Sequence, residues 1–454
     1  MTKKSFIVGT GVLASLSVLF VPVQQVSAAS QKPITIKMMI GDFGAVADKQ
    51  LLDYLVKPYE KAHPGVTIQV QFVSGGQSNV DTKTILDVNS GSPPNVVAVF
   101  NDLGELAQKG VIMPLTSLYQ QSHVTAKDFI PASWKETVVN GVSYAFPATS
   151  NPAYALWYNP QAMKAAGIAT PPKTWNQLYN DSIKAVKFNK QGKLVRVGWQ
   201  WGDGSVFGGA GAEAMAFGHD YTWGKVKGKW VPTPLNPHNI EILTEMKKLS
   251  DAYGGYKNYS KWIASDQGWG SSVDYLAQGK TLFNVDGFWD YMGFDQYNPK
   301  FHYMATYLPT PHGLLKEQTD NYAISWSAAL PKGQDPAHLK AAWDFVMWAF
   351  DTHSYQLELT TNGSTVVSQQ NAWDKVAASA VPKSHAYFKN SFKYFTQPVK
   401  YITEVVPNVP ISSFYGTQLT NAVDAVLYGK KTPKQALQDV QQAVQTQMLI
   451  GGSN

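Results

Sequence analysis

Residues 141–178 read GVSYAFPATSNPAYALWYNPQAMKAAGIATPPKTWNQL, from Gly141 to Leu178. The short alternating run from Val142 to Phe146 has the period of a half-buried strand, and Pro147 closes it. Thr149-Ser150-Asn151 makes a polar break. A second apolar run, Ala153 to Tyr158, predicts another strand that ends at Asn159-Pro160. Gln161 to Ala166 follows as a short helix, with Gly167 where a C-terminal glycine belongs. Pro171-Pro172 gives a stiff extended link, and Thr174 is placed to cap a helix starting at Trp175.

Upstream of this stretch the pattern is regular. Pro33 to Ile40 predicts a first strand, followed by a loop at Gly41-Asp42-Phe43-Gly44. Leu52, Leu55, Val56 and Tyr59 recur at i, i+3, i+4, i+7, which marks the buried face of a helix. His63-Pro64-Gly65 ends that helix, and Val66 to Val70 is a second strand. A helix from Val80 to Val88 stops at Ser90-Gly91. Asn95 to Phe100 is then a near-continuous β-rich run, as expected of a strand buried on both faces. Asn101-Asp102 is placed to cap a short helix that stops at Gly110. The order β-α-β-α-β-α describes one lobe built on an open α/β sheet.

Downstream, Leu194 to Val197 predicts a strand entering Gly198-Trp199-Gln200-Trp201-Gly202. Helices are expected over Asn239 to Ala252 and Ser271 to Ala277, then a strand from Lys280 to Val285 that runs into Asp286-Gly287-Phe288-Trp289-Asp290. Tyr303 to Leu308 and Tyr322 to Leu330 read as further strands, and Ala337 to Phe350 as a strongly apolar helix. In the tail, Thr432 caps a helix with Pro433 at its first position, and Ala436, Leu437, Val440 and Val444 form its buried face.

Lys3-Lys4, an apolar run from Phe6 to Val23 and small residues around Val26-Ser27-Ala28-Ala29 read as a signal segment over residues 1–29, cut near Ala28-Ala29. An uncut membrane anchor is the alternative. The rest, about 425 residues, is too long for a single core and suits two lobes. The 454 residues contain no cysteine, which removes disulfides, thiol catalysis and cysteine-ligated metals. Net charge is +6, and +4 without Lys3 and Lys4; only 15% of residues are charged, with no dense Lys/Arg run, so nucleic acid is not expected as a partner. Aromatic residues reach 13% of the chain, a composition that both a core and a carbohydrate site would want.

The 141–178 stretch resembles the crossing segment of the family 1 extracytoplasmic solute-binding proteins, the sugar-type receptors of ABC importers. Further residues carry the same resemblance in the same order: Pro94 to Leu115, Leu276-Ala277-Gln278-Gly279-Lys280 with Gly287 and Trp289, Asn321 to Ser325 with Ala342 to Val346, and Gly429 to Leu437. The resemblance implies an α/β, two-lobed periplasmic-binding-protein-like fold, each lobe an open sheet flanked by helices, with the ligand cleft between lobes. It implies a division into 30–149 (first lobe), 150–307 (second lobe), 308–362 (return to the first) and 363–454 (C-terminal part of the second). The receptors of this group carry a lipid-anchor cysteine in many cases; the present chain departs from that, and the expectation is an extracytoplasmic monomer that serves an ABC permease and is free in a periplasm, released, or held at the cell surface some other way.

Catalytic patterns are absent: no HExxH, no GxSxG, no EF-hand loop. Gly279-Lys280-Thr281 imitates the end of a phosphate loop, but Asp274 stands where its first glycine belongs. Neither metal nor cofactor is expected. A carbohydrate presents hydroxyls around an apolar C–H face, so carboxylates, amides and rings just after strands are the candidate ligand residues. Asp42, Asp102, Asn151, Trp201, Trp289 and Asp290 meet that test. By resemblance to maltodextrin-type receptors, Phe100 and Asp102 fall at an aromatic and an acid of the site, Trp289 at the Gly-x-Trp tryptophan, Trp199 and Trp201 at sugar-contacting positions, and Tyr415 near a C-terminal aromatic. Those receptors have an acid around Pro152; this chain has Asn151 and Tyr154 there. The competing readings are a receptor for polyamines or other cationic solutes, and a secreted glycosidase with two facing carboxylates.

Overall fold

Val96–Val99 is buried at all four positions and runs down the middle of a five-stranded sheet. In the computed structural model, which describes residues 33–42, 48–49, 51–75, 77–99, 103–147, 149–150, 155–201, 222–268, 271–287, 290–310, 313–314, 322–323, 327–349, 366–367, 388–391, 393–396, 404–405, 407–409 and 411–450, the strand order of this first sheet is Val66–Val73, Ile34–Gly41, Val96–Val99, Ser327–Ala329, Ala145–Pro147. The first three strands are parallel and the last two antiparallel to their neighbours. Parallel strands need crossovers, and helices supply them. A wide helical turn at Leu52–Val56 leads into Lys57–Ala62 and joins the first pair, while Gln77–Asn89 joins the next. Ile36, Met38, Val96 and Phe146 pack with Leu55, Val56, Tyr59 and the helix Pro336–Ala349. Met39, Val97 and Val99 point the other way, onto Val80, Leu103 and Leu106. Both faces are therefore covered, as the unbroken apolar run at 96–99 requires.

The second sheet has the order Trp199–Gln200, Phe283–Asp286, Ala155–Tyr158, Met304–Thr306, with the first pair parallel and the rest antiparallel. Leu156, Tyr158, Trp199, Phe283 and Val285 share a core with the helices Trp175–Lys184, Pro237–Ala252, Ser412–Leu427 and Pro433–Ile450. On the opposite face Trp157 is ringed by Phe294 and Tyr303 at 5.7 Å and Phe395 at 4.9 Å between ring centroids. Two sheets with separate cores make a two-lobed α/β molecule.

The chain leaves the first sheet at Pro147 and enters the second at Ala155. In that passage Thr149–Ser150 pairs antiparallel with Val366–Val367; Tyr322–Ala323, on the way back, pairs parallel with Glu404–Val405. Asn408 then lies against the first lobe, so close that a Cβ on Gly104 would sit 2.9 Å from its carbonyl carbon. From Ser412 onward the chain packs into the second core.

The cap expected at Thr174 forms, and Asn159 adds one that the sequence reading did not assign. Thr174 Oγ1 accepts the Gln177 N–H at 3.2 Å, and Asn159 Oδ1 accepts that of Ala162 at 2.9 Å. Four expectations change. Val142 to Phe146 is not one strand: Val142–Ser143 folds back on Val138–Val139, and only Ala145–Pro147 joins the sheet. Ser271 to Ala277 is not a helix, because Asp274 takes the Ala277 N–H at 2.7 Å and Gly279, at φ +67°, closes a turn. Leu194–Arg196 pairs with Lys187–Phe188 in a hairpin, leaving Trp199–Gln200 as the sheet strand. Of Tyr322 to Leu330, Tyr322–Ala323 pairs with Glu404–Val405 while Ser327–Ala329 joins the first sheet.

Candidate ligand-binding site

In an open α/β lobe the loops at the carboxyl ends of parallel strands form the ligand-facing edge. In the first lobe the strand Ile34–Gly41 ends at Asp42, which is exposed and accepts the Ser74 hydroxyl at 3.0 Å. Ser74 itself follows the neighbouring parallel strand, so the two strand ends present one carboxylate–hydroxyl pair. Phe100 and Asp102, after the third strand, lie outside the described residues, as do Asn151, Tyr154 and Trp289.

In the second lobe the parallel pair ends at Gln200-Trp201 and Asp286-Gly287, and polar groups converge there. Gln200 Nε2 donates to Asp266 Oδ2 at 2.6 Å, and the other oxygen of Asp266 accepts the N–H groups of Gly268 and Tyr275 at 3.1 and 3.0 Å. Asp286 Oδ1 accepts the Gly287 N–H at 2.7 Å, and the Gly287 carbonyl accepts the Trp157 indole N–H at 2.8 Å. Asp290 opens the helix Asp290–Tyr297 and is 1% exposed, with its Oδ1 lacking a hydrogen-bond partner. Burial raises its carboxyl well above the usual range, and the nearby charges of Asp286, Asp274 and Asp266 raise it further. Burial likewise lifts Asp274 to about 7 against the Ala277 N–H bond, with Asp266 adding to the rise. A carboxyl held neutral both donates and accepts, whereas an ionised one only accepts. Asp266 and Asp286 are half-buried at this edge, whereas Asp274 and Asp290 are buried. Gln200 Oε1 and the Trp201 indole nitrogen are also buried without partners. Gln200, Asp266 and Asp274 were not among the sequence candidates, because Gln200 at a strand end meets Asp266 and Asp274 from a connection more than sixty residues later; Asp266, in a Ser-Asp-Gln-Gly turn, carried the local signal.

Three aromatic candidates prove to be core residues. Trp199 and Trp201 are both 0% exposed. Trp201 stacks on Tyr259 at 4.2 Å and Tyr253 at 5.2 Å, and the Tyr259 hydroxyl both accepts its N–H at 2.9 Å and donates to its carbonyl at 2.6 Å. Trp199 meets the edge of Trp175 at 5.5 Å. The sheet strand ends at Gln200, and helices from residues 175–184 and 237–263 supply the rings that cover both indoles. Tyr415 is 1% exposed, donates to the Thr222 carbonyl at 2.6 Å and meets Trp223 edge-on at 5.0 Å. Its place on the inner face of Ser412–Leu427 makes it an anchor for the C-terminal helices. Among the described residues no group of three or more His, Asp or Glu is placed to hold a metal.

Residues 44–353 match the family model described as bacterial extracellular solute-binding protein. A solved structure designated CpMnBP1 with mannotriose bound is similar at 25% identity and TM-score 0.75, over 90% of this chain and 100% of that one. The maltose/maltodextrin-binding domain MalE of Bdellovibrio bacteriovorus, bound to maltotriose, shares the fold at 19% identity and TM-score 0.70, covering 91% and 99%. An uncharacterized ABC transporter extracellular-binding protein of Pyrococcus horikoshii is 23% identical over 63% of this chain and 63% of its own length. The matched stretch spans less than two thirds of that relative, and 40% of a putative binding protein of Brucella abortus at 25% identity. With the family match running across both sheets, the chain belongs to the bacterial extracellular solute-binding proteins.

Proposed function

We propose that the protein captures an oligosaccharide between its two lobes outside the cytoplasm and delivers it, as a monomer, to an ABC permease. The observation that carries this reading is the full-length likeness, at 25% identity, to a protein solved with mannobiose and with mannotriose. The convergence of Asp286, Asp290, Asp266 and Gln200 at one edge of the second lobe supports it, since such groups match a ring of hydroxyls. Asp42, Phe100, Asp102, Asn151, Tyr154, Trp289 and Asp290 are the proposed contacts. Capture involves no chemical step: a ligand that touches both lobes binds the closed form better than the open one, and that difference drives closure. Export is by the segment 1–29, cut near Ala28-Ala29.

A thermal-shift comparison of mannobiose, mannotriose, maltotriose, spermidine and putrescine tests the reading. A matching sugar at 100 times its dissociation constant adds about 2.7 kcal/mol to stability and raises the melting temperature. Stabilisation by a polyamine with none by any glycan would overturn the sugar assignment in favour of a cationic solute.

A further inference from the structure

Between Ser182 and Gly198 there is no acid, and every third residue from 184 to 196 is a cation: Lys184, Lys187, Lys190, Lys193, Arg196. That spacing escapes notice as a charge run, but the fold gathers it. Lys187–Phe188 pairs antiparallel with Leu194–Arg196, bringing Lys187 opposite Arg196. The tip is firmly built: Asn189 Oδ1 accepts the N–H groups of Gln191 and Lys193 at 3.0 and 2.9 Å, and Gly192 turns at φ +71°. Lys187, Lys190 and Lys193 are exposed and form no ion pair among the described residues. Helix Tyr256–Ile263 packs against Leu194–Arg196 and adds the exposed Lys257 and Lys261, again with no acid in the helix. The nearest acids in these elements are engaged or recessed: Asp251 is held by Lys247 at 2.5 Å, and Asp181 is half-buried. Phe188, 39% exposed, lies beside Gly254, where an added Cβ would stand 3.2 Å from its ring.

The position matters as much as the charge. Leu194–Arg196 runs directly into the amino end of Trp199–Gln200, whereas Gln200, Asp286 and Asp290 cluster at the carboxyl end of the same parallel pair. The basic hairpin and the candidate ligand site therefore occupy opposite ends of the second sheet. Lysines are point charges on flexible stems, and these ones are exposed along one hairpin and one helix. They suit a partner with repeated charges along a strand rather than one discrete anion. Only Ile183 and Phe188, each 39% exposed, offer apolar surface, which is little for insertion into a lipid leaflet.

We propose that the hairpin over Lys187 to Arg196, with Lys257 and Lys261, is a docking surface for a linear polyanion of repeated phosphate charge outside the cytoplasm, which holds the receptor while its ligand edge stays free. The proposal rests on the extracytoplasmic location but not on the identity of the captured solute.

Long-chain inorganic polyphosphate is the probe, titrated into the purified protein at low and raised salt. Each phosphate neutralised contributes about −0.7 to the slope of log affinity against log salt, so a slope of roughly −2 to −4 is expected. The triple variant Lys187→Ala, Lys190→Ala, Lys193→Ala should lose about ten-fold or more in affinity at low salt, as removing three such contacts implies. A charge-matched control, Lys225→Ala, Lys227→Ala, Lys229→Ala, removes the same charge from another hairpin of the second lobe. It should bind polyphosphate nearly as the parent does. Equal losses in both variants would mean that binding follows net charge alone, and would sink the proposal. So would binding to phosphatidylglycerol vesicles without binding to polyphosphate. The thermal shift with sugars, run on the same variants, should not move, so failure here and failure of the sugar reading are told apart.

Discussion

At the scale of single residues, buried carboxyls set an unusual pH response. Asp274 is 5% exposed and its folded-state value is raised to about 7, against an ordinary value near 3.8. The folded state therefore binds this proton more tightly than the unfolded state does. Its contribution to stability is fully present below about pH 4 and is lost as pH rises through about 7, by an amount on the order of 4 kcal/mol. Asp290 shifts in the same direction. The protein should melt at a higher temperature at pH 5 than at pH 8, and Asp274→Asn, which keeps an oxygen for the Ala277 N–H, should shrink that gap. An unchanged gap in calorimetry would show that Asp274 does not titrate across this range. Two tryptophans offer a second contrast. If Trp289 stacks on a sugar face as proposed, Trp289→Ala should cost about ten-fold or more in ligand affinity, from a contact of roughly 1.5–3 kcal/mol, with little loss of stability. Trp201→Ala should do the opposite, costing about 3–5 kcal/mol in denaturant unfolding from the cavity left against Tyr253 and Tyr259.

Among the elements, Ser412–Leu427 packs into the second core and adds a buried bond, from the Tyr415 hydroxyl to the Thr222 carbonyl. Tyr415→Phe keeps the ring against Trp223 and removes that bond, so stability should fall by about 1–2 kcal/mol while ligand affinity, read by calorimetric titration, stays the same. The elements also show what the sequence could and could not disclose. Val96–Val99 and the capped helix at Trp175 were legible because their signals are local: an unbroken apolar run, and a Thr three residues before the N–H it caps. The 271–277 turn was misread because Tyr275 and Leu276 are as apolar as a helix face, while the bond that bends the chain belongs to Asp274. The site was harder still. Whether Trp199 and Trp201 line a cleft or a core depends on rings some 50 to 60 residues away, Tyr253 and Tyr259, and no pattern around residue 200 encodes their arrival. Asp266 and Gln200 likewise meet across 66 residues.

For the whole molecule, the two sheets have separate cores and exchange the chain at a few short segments. A ligand that bridges the lobes should make the protein more compact in solution scattering. No change on addition of a sugar with proven tight binding would mean that the lobes do not close around it, or are closed beforehand. How closure feels from the backbone follows from the pairing at the passages. The long return between Ala349 and Ser412 is stitched to both others: Val366–Val367 to Thr149–Ser150, and Glu404–Val405 to Tyr322–Ala323. Two short hydrogen-bonded ribbons thus join the segments that pass between the sheets. If a ligand draws the lobes together, those pairings must bend or part with the passages that carry them. Under the proposed capture role, loosening the Tyr322–Ala323 ribbon, which holds none of the proposed contacts, should change the rate of ligand release in stopped-flow and leave the contacts themselves in place, so that timing would be set at the passages and not in the pocket.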